Sequence, residues 1–149
     1  MKNLIYFFVT LFVLSCVNET EKVSTNLTKN SDSKAITFII DLAVNADSTL
    51  FSQEITNNVL KTEDFCLEYG YYVSEDGTSV TLYEKYIDSE SAIKHGQNFM
   101  AGPFFDRFFN LFTLNKFIVN GPASDEFKKF TSENGFVIEY RNSIDGFLR

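Results

Sequence analysis

Residues 36–44 read Ile-Thr-Phe-Ile-Ile-Asp-Leu-Ala-Val, β-branched and almost continuously apolar, which predicts a strand covered on both faces. The apolar period then changes. Phe51, Ile55 and Val59 recur every four residues, with Leu50 widening the stripe, so a helix follows that Asp47 or Ser48 can cap. Two aromatic-rich strands are expected over residues 65–73 and 79–87, and the Asp76-Gly77 step between them marks a hairpin. A second helix opens at Asp88 or Ser89 and carries Ala92, Gly96, Phe99 and Met100 on its apolar side until Gly102-Pro103 interrupts it. Phe104, Phe105, Phe108, Phe109 and Phe112 then fall at helical spacing, and residues 114–120 read as a fourth strand. Gly121-Pro122-Ala123-Ser124 is a turn with a cap for a short helix over residues 125–130, which Gly135 ends before a fifth, edge strand over residues 136–140.

Strand, helix, strand, strand, helix, strand is the split βαβ order, so the expected fold is α+β and ferredoxin-like: an antiparallel sheet with helices on one face. Residues 65–73, Phe-Cys-Leu-Glu-Tyr-Gly-Tyr-Tyr-Val, place large apolar or aromatic groups on both faces of such a sheet. With 17 Phe and 7 Tyr in 149 residues, something must cover the second face. A second copy of the chain is the simplest cover, because most soluble oligomers are symmetric homodimers. Tyr71 or its neighbour Tyr72 would face that partner, since adjacent strand residues point to opposite sides.

The N-terminus has a different character. Lys2 precedes an apolar run from Leu4 to Leu14 that closes on Ser15-Cys16, the three-part pattern of a secretion signal. This run is shorter than the roughly 20 residues of a membrane-spanning helix. Val13-Leu14-Ser15-Cys16 resembles the lipobox of bacterial lipoproteins, which implies cleavage after Ser15, a diacylglyceryl thioether on Cys16 and attachment to a membrane of the bacterial cell envelope. The alternative is an ordinary cleaved signal that ends near a cysteine. Residues 1–15 are therefore read as signal, 16–35 as the lipidated Cys16 and a flexible polar tether, and 36–149 as one domain. Lipidation leaves Cys66 alone, expected as a small buried hydrophobe. The formal net charge of −7 argues against nucleic acid or an anionic lipid surface as partner.

Leu82-Tyr83-Glu84-Lys85-Tyr86-Ile87-Asp88, running into Ser91-Ala92-Ile93-Lys94-His95, resembles the third strand and second helix of the antibiotic biosynthesis monooxygenase family of dimeric α/β barrels. Residues 120–128 with Gly146-Phe147-Leu148-Arg149 are similar to a C-terminal extension found in some members. The resemblance implies a homodimer with a pocket between sheet and helices in each subunit. It also implies one of several functions, since some relatives oxygenate quinol-like aromatics without metal or flavin, others degrade haem, and many have no known activity. The chain contains no tryptophan, and its first strand contains no asparagine, two residues that haem-degrading relatives use beside a helical histidine.

His95 is the only histidine and the leading candidate for chemistry. At 100° per residue it lies about 40° from Phe99, on the edge of the apolar stripe. From there it can do acid-base work near neutral pH, make one axial bond to a haem iron, or merely satisfy a hydrogen bond at the helix flank. Glu84, mid-strand, is costly if buried unpaired, so it either pairs with a neighbouring tyrosine or lysine or takes part in catalysis. Phe99, Phe105 and Phe108 are candidates to line a site for a small aromatic ligand, with core packing as the alternative. No cofactor is expected. One histidine and one free cysteine cannot build a zinc spacing, and neither a Gly-rich phosphate loop nor a Ser-His-Asp motif is present. Two function classes remain: a cofactor-independent monooxygenase of a small aromatic or quinol, and a non-catalytic binding or structural lipoprotein built on the same fold. An open pocket facing His95 favours the first, and one filled by Phe side chains favours the second. Replacing Cys16 with Ser is expected to abolish incorporation of a fatty-acid analogue and leave the precursor uncleaved; unchanged labelling removes the lipid anchor.

Overall fold

A computed structural model describes Thr28–Lys29 and residues 33–148. The signal, Cys16 and most of the expected tether lie outside the described residues. Strands β1 (Thr28–Lys29), β2 (Ile36–Val44), β3 (Cys66–Val73), β4 (Ser79–Tyr86), β5 (Phe112–Asn120), β6 (Glu139–Arg141) and β7 (Phe147–Leu148) alternate with helices α1 (Thr49–Thr62), α2 (Ser89–Ala101), α3 (Phe105–Leu111) and α4 (Asp125–Glu133). The main sheet has the order β3-β4-β2-β5-β6, and β1 pairs with β7 in a separate two-stranded ribbon.

The ferredoxin-like order is present, with one departure. β6 runs parallel to β5, so the sheet is mixed rather than purely antiparallel. A helix connects the two, and a strand reached through a helical crossover returns in the same direction as the one it left. The predicted fifth strand over residues 136–140 shrinks to Glu139–Arg141 at the sheet edge. Phe112, read as the end of the phenylalanine helix, is instead the first residue of β5, whose Cα partner is Val44.

Local chemistry explains the helix starts. Ser48 holds the N-cap position of α1, yet the first amide is taken by the neighbouring residue, since the Thr49 N–H donates to Asp47 Oδ1 at 3.0 Å. Asp88 caps α2, accepting from the Ser91 backbone at 2.9 Å and the Ser91 hydroxyl at 2.7 Å. Ser124 caps α4 by accepting from the Phe127 N–H at 3.2 Å.

One face of the sheet builds the core. Ile36, Phe38, Ile40 and Leu42 of β2 alternate inward beside Val80, Leu82 and Tyr86 of β4, and Phe51, Ile55 and Val59 of α1 close over them with Ala92 of α2 and Phe127 of α4. Two bulges keep this face apolar. In β5, Asn115 is passed over between the pairs Asp41–Lys116 and Leu42–Leu114, so Leu114 and Phe117 point to the same side despite their odd spacing. In β3 the register slips between Cys66 and Glu68, which leaves Leu67 exposed and returns Tyr69 and Tyr71 to the core. Helices α2 and α4 approach closely at Gly96, where a Cβ would stand 2.8 Å from the Phe130 ring.

The opposite face carries Thr37, Ile39 and Asp41 of β2, Thr81, Tyr83 and Lys85 of β4, and Tyr72 of β3. It mixes polar and apolar groups more than the sequence reading expected. Part of its cover comes from the chain itself, because residues 141–145 wall a cavity on this face with Ile39, Tyr83 and Lys85. Tyr72, 58% exposed, is the tyrosine on this side, whereas Tyr71 stacks on Phe112 within the core.

Candidate functional site

Where α2 crosses β4, the inward alternation of the strand places Glu84 between Leu82 and Tyr86, and all three are buried. His95 comes down onto them from the helix. It is buried, 7% exposed, and is therefore part of the buried face of α2 rather than on its edge as expected. Aromatic rings surround the imidazole: Tyr86 at 5.1 Å and Tyr69 at 5.9 Å between centroids, and Phe99 stacked almost parallel at 6.3 Å.

Two carboxylates meet this ring. Glu63, directly after α1, brings its Oε2 to 2.7 Å from His95 Nδ1, and Asn98 Nδ2 donates to its Oε1 at 3.0 Å. On the other side, Glu84 Oε2 lies 3.8 Å from His95 Nε2, beyond hydrogen-bond length, and accepts from the Tyr86 hydroxyl at 2.8 Å. Glu84 thus pairs with a tyrosine of its own strand and faces the histidine. Sequence reading did not single out Glu63. The signal available was faint: an acidic residue at the C-terminal end of a helix, where the dipole disfavours it, needs some compensating partner.

Burial and charge compete here. Burial pushes the imidazole down, but the Glu84 charge, together with the hydrogen bond and charge of Glu63, outweighs it and holds His95 above its ordinary value. Burial likewise raises Glu63, and the His95 hydrogen bond and charge, helped by Asn98 and Lys94, bring it below the usual carboxylate range. Glu84 ends above that range, because its burial exceeds what His95 and Tyr86 return. The phenols of Tyr69 and Tyr86 are pushed well above their usual value, burial being the main cause. They are therefore proton donors at neutral pH, not anions. Cys66 is half-buried, donates to the Glu68 carbonyl at 3.3 Å, and is raised to about 11 mainly by burial, which keeps it a thiol.

A cavity of about 70 Å³ lies against this cluster, with Glu84 and His95 on its wall among Phe38, Leu82, Phe99 and Phe108. At roughly 10–15 Å³ per water-sized group, it has room for about five to seven such groups, about half of the roughly 150 Å³ in which an apolar cavity takes up a benzene ring. Phe99 and Phe108, two of the three phenylalanines proposed from sequence to line a site, are on the cavity wall. Phe105 stands one ring back, edge-on to Phe99 at 5.4 Å and to Phe109 at 5.1 Å, and Phe109 lines the cavity in its stead. Among the described residues no group of three or more His, Cys, Asp or Glu is arranged to hold a metal ion. What the arrangement offers is one imidazole edge and one poised carboxylate in an apolar enclosure, a pairing suited to moving a proton on a small ligand.

No family model matches this chain, and no curated protein sequence does. Among solved structures it is similar to MupZ from Pseudomonas fluorescens, with a TM-score of 0.61 at 18% identity over 78% of this chain and 91% of that one. A weaker likeness joins it to SnoaB, a cofactor-independent oxygenase from Streptomyces nogalater, with a TM-score of 0.46 at 12% identity over 62% of this chain and 96% of that one. At these identities the likeness is one of fold, and the MupZ match carries it.

The charge cluster has a measurable signature in stability. A raised imidazole pKa contributes stability that is complete below the unfolded value of about 6.5 and is lost as pH rises through the folded value. Glu84, also raised, acts in the same direction. The urea midpoint is accordingly expected to fall as pH goes from 6.5 to 9, and the His95→Gln variant to fall less steeply over that range. Parallel profiles would show that His95 is not held as a cation.

Proposed function

We propose that this domain is a cofactor-independent oxygenase of a small aromatic or quinol-type substrate, working as a homodimer held at a membrane by the lipid on Cys16. The observation that carries this reading is the meeting of Glu84 and the Nε2 edge of His95 on the wall of an otherwise aromatic and aliphatic cavity. A phenolic hydroxyl laid there gives its proton to the carboxylate, whose affinity burial has raised, and the imidazolium steadies the oxyanion that forms. The electron-rich anion of a quinol is the species that reacts with oxygen. The resemblance of residues 82–95 to the monooxygenase family supports the same direction.

A second reading rests on the acid and base standing side by side. Two titratable groups whose surroundings push them differently also serve redox-neutral proton transfer on a substrate of this size. Consumption of substrate without oxygen uptake would select it.

Oxygen uptake and substrate loss over a panel of dihydroxybenzenes test both readings. Removing a general acid-base group costs about 10²–10⁴ in rate, so His95→Ala is expected to lower turnover by that order while the fold is retained. Equal uptake by both proteins would clear His95 of the chemistry, and no consumption by either would leave a binding protein.

The homodimer rests on the open face of the sheet. Tyr72 projects from it, and a charge at this position in a desolvated interface costs several kcal/mol. Light scattering at micromolar concentration is expected to return twice the chain mass for the wild type and the monomer mass for Tyr72→Glu. A monomeric wild type would remove the dimer.

A further inference from the structure

The His95 cluster touches two separate spaces. Glu84 and His95 line the aromatic cavity, whereas Glu63 does not. Glu63 instead lines a groove of about 350 Å³ on the other side, walled by Thr56, Val59 and Leu60 of α1 and by Cys66, Leu67 and Glu68 at the start of β3. Tyr69 is common to both walls. The partition between groove and cavity is thus the Tyr69 ring together with the 2.7 Å contact from Glu63 Oε2 to His95 Nδ1.

We propose that Glu63 is a positioning residue and the solvent-side port of a proton relay, Glu63–His95–Glu84, which links the groove between α1 and β3 to the aromatic cavity. Its use in turnover rests on the function proposed above, but its existence does not. A carboxylate at Nδ1 selects the Nδ1–H form of the neutral ring and leaves Nε2 as the acceptor on the cavity side. A ligand hydroxyl about 2.8 Å from both Nε2 and Glu84 Oε2 spans the 3.8 Å between them. The proton that Glu84 takes from the ligand reaches Nε2 across the ligand oxygen between them, and the Nδ1 proton of the imidazolium so formed passes to Glu63 Oε2 and leaves to water in the groove. The remaining Nε2–H form resets by giving that proton to the product and taking one at Nδ1 from reprotonated Glu63. Only bonds to hydrogen change, and no electron moves.

The groups facing the ring agree with this direction of travel. From β4 come Glu84 and the Tyr86 phenol, from β3 the Tyr69 phenol, and from the end of α1 only Glu63. Both phenols hold their protons at neutral pH, and Cys66 does too; Asp64 and Glu68 also line the groove, but among the described residues Glu63 is the carboxylate in contact with Nδ1. Asn98 donates to the second oxygen of Glu63 and aims the first at the ring.

Because His95 is the only histidine, ¹⁵N-histidine labelling gives one ring's signals without assignment. The wild type is expected to show the Nδ1–H form in its neutral state, with the Nδ1 proton exchanging with solvent. Glu63→Gln, which can accept from Nδ1 but cannot carry a proton away, is expected to slow that exchange at least tenfold, and Glu63→Asp to restore it in part. Leu60→Trp, at a position 78% exposed on the groove, is expected to slow exchange severalfold without changing the tautomer, and serves if Glu63→Gln does not fold. An Nε2–H neutral ring in the wild type, or exchange unchanged in the folded variants, would overturn the relay. The relay signature in a protein that turns over no substrate would overturn the oxygenase reading alone, and turnover that depends on His95 with unchanged exchange in Glu63→Gln would overturn the relay alone.

Discussion

A buried imidazole is tolerable only where its two N–H edges and its charge are met, and the way His95 is met organises the centre of this molecule. The contact with Glu63 joins the end of α1 to the middle of α2, and the approach to Glu84 joins α2 to the sheet. Replacing such a cluster with hydrophobic residues of similar volume is often neutral or stabilising, so its presence is weak evidence for stability. What it does bring about is the meeting of three titratable side chains among apolar ones. Glu84 and Tyr86 occupy inward positions of β4 that would otherwise extend the apolar ladder begun by Val80 and Leu82.

The cavity exists because rings pack around that cluster without filling the space beside it. Phe99 stacks on His95, Phe108 stands edge-on to Phe99 at 5.4 Å, and Phe51 is surrounded by Phe104, Phe108 and Phe112 at 6.0–6.2 Å. The bulges in β3 and β5 matter for the same reason. Each returns aromatic residues to the core side of a strand whose parity would have sent them outward, and Tyr69, Leu114 and Phe117 on the cavity wall all depend on this.

The ends of the chain bear on the other face. Thr28–Lys29 pairs with Phe147–Leu148, and the segment before that pairing walls a cavity with Ile39, Tyr83 and Lys85. Gly121, at φ +111, makes the turn that brings β5 to α4, and its N–H donates to the Arg141 carbonyl at 2.8 Å, which anchors the segment where it leaves the sheet edge. Any other side chain there would meet the Ala35 carbonyl at 2.6 Å.

Local pattern determined the order of the main-sheet strands and their helices, the start of α2 at Asp88 or Ser89, the cap at Ser124, the hairpin at Asp76-Gly77 and the α+β class, because these follow from interactions within a few residues of each other. The same holds for the selection of His95, the one side chain here whose ordinary pKa lies near neutrality. Tertiary structure decided the rest. Glu63 is 32 positions from His95, and no local pattern shows that a carboxylate ending one helix will meet an imidazole in the middle of the next. Whether β6 runs parallel, which of Tyr71 and Tyr72 faces out, and why Phe109 rather than Phe105 reaches the cavity depend on a crossover, a bulge and the rotation of a short helix. Those are set by how elements pack against each other, and packing joins residues that the chain keeps far apart.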